Sequence, residues 1–205
     1  MNKPALILIN LGTPNSPSYF NVFKYLYEFL MDPRVIDIPL FFRFFLVTLI
    51  ICPFRSFTSS KIYKKLWDLS AGESPLLKNT KELTLKLNQA QDRYNVFFAM
   101  RYQNPSIKLI LSEIKKTNPS EIIIFPLFPH YASATSGSVY EDVTKKLSKE
   151  WVIPNIRFIS QYYNHPAFIG SWVDAAKKYE LSEYDLILFS YHGLPISQVN
   201  KVHGD

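Results

Sequence analysis

Short apolar runs alternate with helix-period stretches from one end of the chain to the other. The runs Ala5 to Ile9, Asn95 to Met100, Glu121 to Phe125, Asn155 to Ile159 and Leu186 to Ser190 read as strands, several of them apolar enough to be covered on both faces. Between the later runs, apolar positions recurring on one helix face predict helices near Ser106 to Lys116, Ser138 to Lys149 and Pro166 to Tyr179. Each interval suits a right-handed crossover, so the pattern predicts an α/β fold, a parallel sheet with helices on both faces.

The interval from Pro14 to Gln91 is far too long for one crossover and predicts a helical insertion at about 14–91, after the first strand. It holds helices around Tyr19 to Leu30 and Leu76 to Gln91, with the apolar segment Leu40 to Phe54 between them. Arg43 breaks that segment and Pro53 ends it, which leaves it shorter than the roughly twenty apolar residues a bilayer span needs. A buried helix is the leading expectation, against an apolar lip on a pocket or a membrane-surface contact.

Composition narrows the chemistry. With 47% apolar residues, 205 residues are enough for a packed core in one domain or one domain with an insertion. The net charge of +6 comes without any Lys/Arg run longer than two, which argues against a nucleic-acid partner and fits a small anionic substrate. Cys52 is the only cysteine, so an intrachain disulfide and a CxxC metal site are excluded. The amino terminus enters a strand directly and lacks a signal peptide's cleavage region, so a cytoplasmic protein is expected. No GxGxxG and no P-loop occurs, which disfavours nucleotide binding.

Four loops at the carboxyl ends of predicted strands carry unusual chemistry: Asn10 to Pro14, Arg101 to Pro105, Pro126 to Gly137 and Ser190 to Pro195. In a parallel sheet those ends share one edge, where open α/β sheets bind ligands. His192 in the last loop can take a proton or bind a divalent metal. On position alone, a histidine that only bonds its own turn is an equal alternative. His130 is ambiguous in the same way, His165 before Pro166 reads as a helix-start residue, and His203 carries little weight. No histidine pair has i, i+4 ligand spacing, so a permanent metal site is not expected.

Taken together, Leu8 to Pro14 (LINLGTP), Phe29 to Ile36 (FLMDPRVI), Gly72 to Leu76 (GESPL), Met100 to Tyr102 (MRY), Phe125 to Pro129 (FPLFP) and Ser190 to Pro195 (SYHGLP) resemble the ferrochelatases, which insert ferrous iron into a porphyrin. The resemblance implies a Rossmann-like chelatase half with the porphyrin in a cleft between two such halves. It also implies that the second half is absent, including an acidic motif that faces the histidine, and that activity of this chain alone is in doubt. By resemblance, His192 is the catalytic base or transient iron ligand, and Leu11, Arg55, Tyr63, Ser74, Arg101 and Tyr102 contact the porphyrin. Ferrous iron is then a substrate, and no permanent cofactor is implied. The alternatives are a chelatase for coproporphyrin or another tetrapyrrole, and a non-catalytic porphyrin-binding fragment. Leu11, where coproporphyrin enzymes more often show tyrosine, favours protoporphyrin. Glu73 departs from the family's usual glycine, and Ile196 and Ser197 replace commoner charged residues.

Overall fold

A computed structural model of the chain describes residues 2–201, so His203 lies outside the described residues. The chain forms two compact units, Met1–Gln161 and Tyr162–Asp205.

The first unit is built on a four-stranded parallel sheet in the order β2-β1-β3-β4. The strands are β1 (Ala5–Gly12), β2 (Asn95–Tyr102), β3 (Ile122–Pro126) and β4 (Ile156–Phe158). Ala5, Ile7, Leu8 and Ile9 are buried, as are Ile122, Ile123 and Ile124, because β1 and β3 are the inner strands and both their faces are covered. Odd-numbered Ala5, Ile7 and Ile9 join one core with Ile107, Ile110, Leu111 and Ile114 of α5 (Ile107–Lys116) and Val139, Val143 and Leu147 of α6 (Ser138–Leu147). On the other face, Asn10 Nδ2 donates to Thr80 Oγ1 of α4 (Pro75–Ala90) over 3.0 Å, so helices cover both sides of the sheet. α5 shows how the sequence achieves this: its apolar residues recur at i, i+3, i+4 and i+7, and Ser106 caps its start by accepting from Leu109 N.

The insertion after β1 departs from expectation. α1 (Tyr19–Leu30) starts where Ser18 caps it, but the apolar segment is neither short nor buried. α2 (Leu40–Phe45), a π-helical stretch Leu46–Ile51 and α3 (Cys52–Leu69) run on as one 30-residue helix. By length and composition alone it could cross a membrane. Pro53 does not end it. The widened π turn, in which Cys52 N donates to Val47 O, comes just before the proline and relieves the clash its ring would make with the preceding turn. The residue expected to break the segment is turned inward, as are Val47 and Cys52. Arg43 is buried and donates to the carbonyls of Ile36 and Ile38, while Phe41, Phe42, Leu49, Ile50, Phe54 and Phe57 are exposed.

The second unit holds α7 (Pro166–Ala176), a 3₁₀ turn at Leu181–Glu183 and the short α8 (Ile196–Asn200). His165 caps α7, with Nδ1 accepting from Ala167 N over 3.2 Å, as its place before Pro166 suggests. The strand expected at Leu186 to Ser190 does not form, and Leu188 and Phe189 are each 80% exposed. An apolar pentapeptide becomes a strand only when a neighbouring edge and covering side chains are supplied, and none of its neighbours among the described residues pairs with it.

Candidate functional site

The path of the chain reverses between β1 and β3, and the carboxyl ends of those strands mark the topological switch point where open α/β sheets bind ligands. Gly12 ends β1 there with φ +111°, and a Cβ at this position would lie 2.0 Å from the Tyr102 carbonyl oxygen. Only glycine lets the first loop leave so close to β2.

A cleft of about 620 Å³ opens beside this loop. Thr13 and Asn15 from the first loop, Trp67 from α3 and Ser74 from the α3–α4 turn line it, as do Asn104 and Pro105 beyond β2. Its size falls within the usual range for small-molecule sites. Ser74 is only 3% exposed and its side chain makes no capping bond to α4; the hydroxyl has no partner among the described residues. Tyr63 stands edge-on to Trp67, with ring centroids 5.7 Å apart, and edge-on to Tyr25 at 6.2 Å. Burial raises its phenol pKa, so the hydroxyl is a donor at neutral pH. Leu11 is half-buried just before Thr13, its amide donating to Asn10 Oδ1 over 2.8 Å. Of the predicted porphyrin contacts Ser74 lines this cleft, while Tyr63 packs against the lining residue Trp67 and Leu11 precedes the lining residue Thr13 without lining it themselves. Arg55 is exposed on α3, does not line the cleft, and its guanidinium makes no ion pair or hydrogen bond among the described residues.

Arg101 and Tyr102 are used differently. One carboxylate oxygen of Asp32 accepts from Arg101 Nη2 at 2.7 Å, Tyr102 Oη at 2.9 Å and Ser138 Oγ at 2.5 Å. The other accepts from Arg34 N at 2.8 Å. Arg101 Nε also donates to Ser138 Oγ, and Arg34 pairs with Glu141. Burial opposes the charge on Asp32, but the bonds from Ser138, Arg34 N and Tyr102, together with Arg101, outweigh it and lower its pKa. Tyr102 is fully buried and its phenol pKa is raised by burial, so it stays a donor to this carboxylate. The network ties the end of α1 to β2 and the start of α6. Sequence reasoning missed its centre, although Asp32 lies within the FLMDPRVI motif; a lone Asp before Pro gives no sign that three distant donors converge on it.

In the second unit His192 is exposed, with Nδ1 2.6 Å from the Gly193 carbonyl oxygen. A carbonyl can only accept, so a neutral ring carries its proton on Nδ1 and leaves the Nε2 lone pair open to a proton or a metal. His130 is also exposed. No three His, Cys, Asp or Glu side chains among the described residues gather in a way that could hold a metal ion.

Comparison with known proteins decides which family this arrangement belongs to. The ferrochelatase family model matches residues 3–205. The chain belongs to the ferrochelatase family. It is 41% identical over 200 residues to a ferrochelatase of Legionella pneumophila subsp. pneumophila, covering 97% of this chain and 59% of that protein. It is 40% identical over 204 residues to a ferrochelatase of Francisella tularensis subsp. holarctica, covering 98% of this chain and 61% of the relative. The chain therefore spans about three-fifths of the length of these curated relatives. In the first unit the cleft at Ser74, and in the second the exposed ring of His192, carry residues that the family resemblance singles out.

Proposed function

We propose that this chain contributes the first wall of a porphyrin site and the base for insertion of ferrous iron into protoporphyrin. Two pyrrole N–H protons leave as Fe²⁺ sheds water and binds the four ring nitrogens. The reaction therefore needs an apolar slot, an anchor for the propionates and a proton acceptor. The cleft carries the reading: Trp67 and Leu77 offer apolar surface, Ser74 offers a donor with no partner to give up among the described residues, and Tyr63 packs against Trp67. His192, through Nε2, is the proton acceptor or transient iron ligand. Arg55, exposed and without an ion pair or hydrogen bond among the described residues, is free to meet a propionate, whereas Arg101 and Tyr102 are held by Asp32.

Arg55→Ala should weaken porphyrin binding by about tenfold or more, the loss of one charge-assisted contact of roughly 1.5–3 kcal/mol, without lowering thermal stability. Titration with protoporphyrin and its dimethyl ester checks this. The ester should not respond, and equal loss for acid and ester would remove Arg55 from the site.

The long helix supports a membrane-surface contact within this reading. Leu40 to Phe57 presents exposed Leu, Ile and Phe side chains and carries Arg55 near its end, and Lys61, Lys64 and Lys65 follow with no acidic residue before Asp68. That sequence of apolar and basic surface suits the face of an anionic bilayer, from which an apolar porphyrin could be taken directly. Co-sedimentation with vesicles of phosphatidylglycerol and phosphatidylcholine should be lost in Phe41→Ser/Phe54→Ser, each phenylalanine contributing about 1.5–3 kcal/mol of burial. Undiminished binding by that variant would overturn the membrane contact.

A further inference from the structure

Two charged side chains, Glu73 and Lys81, line the cleft at Ser74, and they are paired with each other there. The Ser74 end has the make-up of an anion site. α4 begins at Pro75, so the amides of Leu76 and Leu77 lie in its first turn without helical acceptors. Beside them is the Ser74 hydroxyl, 97% buried by its 3% exposure, lining the cleft and unpartnered among the described residues. Glu73, next in sequence, places a like charge where a carboxylate would sit. Lys81 Nζ donates to Glu73 Oε1 and offsets that charge.

We infer that the Glu73–Lys81 ion pair sets the charge at the Ser74 end of the cleft, and that Lys81 is the residue that lets this end accept a ligand carboxylate. The carboxylate would take the Ser74 hydroxyl and the first-turn amides of α4 while Lys81 stays on Glu73. The pair then acts as a specificity element, favouring an acid over its ester and disfavouring extra carboxylates at the same end, because one lysine balances one glutamate. For a porphyrin ligand this inference rests on the tetrapyrrole reading of the cleft, but the charge argument holds for any flat apolar acid.

Trp67 lines the cleft, and the other two tryptophans, Trp151 and Trp172, are exposed, so Trp151→Phe/Trp172→Phe leaves a single indole reporting from the site. In that background, quenching of the 205-residue chain is titrated with protoporphyrin, pyrene-1-carboxylate and the methyl esters of both. Lys81→Met should weaken both acids by about three- to tenfold, the range for a half-exposed charge, and Glu73→Gln should tighten them by a similar factor. The double variant Glu73→Gln/Lys81→Met should return close to the parent, and the esters should not respond. Equal changes for acid and ester, or weaker acid binding in Glu73→Gln, would overturn the assignment. If pyrene-1-carboxylate follows the pattern and the porphyrin does not bind, the tetrapyrrole reading falls and the ion pair stands. If the porphyrin binds without regard to Lys81 and Glu73, only the ion pair falls. Binding of neither acid overturns both.

Discussion

Replacing His192 by alanine is expected to slow iron insertion by about 10²- to 10⁴-fold, the usual worth of a positioned proton acceptor, in a chain extended to the length of its relatives. Porphyrin affinity should change little, because in the proposed site the cleft and its Ser74 end, not the imidazole, would hold the ligand. With Nδ1 2.6 Å from the Gly193 carbonyl, which can only accept, a neutral ring has its lone pair on Nε2. His192→Gln offers an amide in similar space but no basic nitrogen, and should be as slow as alanine. The 205-residue chain should show little turnover with or without His192. The measurement is zinc or iron insertion followed by absorbance, with porphyrin binding measured on the same samples. Turnover in His192→Ala near that of the parent would remove the histidine from the reaction, and full turnover by the short chain would show that one wall of the cleft suffices.

Much of the fold was legible because burial on both faces leaves a strong mark. The runs at Ala5, Asn95, Glu121 and Asn155 begin within a residue of the observed strands, and α5 and α6 announce themselves by Ile107, Ile110 and Ile114 and by Val139, Val143 and Leu147. The two failures have one cause. Leu186 to Ser190 and Leu40 to Phe54 are as apolar as the core strands, and apolarity was read as burial. It marks only a need for cover, which must come from elsewhere. Pro53 misled for a separate reason: a π turn absorbs it, and no local sequence feature distinguishes that turn from a helix end.

The site was legible in its parts. Ser74, which the family resemblance assigns to the porphyrin, lines the cleft, and Tyr63 packs against its lining residue Trp67. Arg101 and Tyr102 were singled out with them, and their side chains turn instead to Asp32. A motif marks positions that matter without saying whether they touch a ligand or hold the wall behind it. The convergence of Arg101, Tyr102 and Ser138 on one oxygen of Asp32 shows what holds those side chains, which the motif alone does not.

That convergence carries the second large effect. Asp32→Ala should destabilise the chain by about 3–5 kcal/mol, the cost of leaving a buried charge without its partner, since the Arg101 side chain is only 16% exposed. Asp32→Asn keeps an acceptor for Arg101, Tyr102 and Ser138, and should lose less. Acid separates the charge from the shape. The folded-state pKa of Asp32 lies below the ordinary 3.8, so its charged form is favoured by folding. Its contribution is complete above the ordinary value and is lost as pH falls through the lower folded value. The gap in urea stability between the parent and Asp32→Asn should therefore hold steady from about pH 7 to about pH 5 and close below about pH 4. Taking the difference cancels the other carboxylates, which titrate in both proteins. A gap that persists unchanged into acid would mean that the asparagine is disfavoured by its shape alone, and a stable Asp32→Ala would mean that Arg101 finds another partner and the network does not hold the end of α1 to β2 and α6.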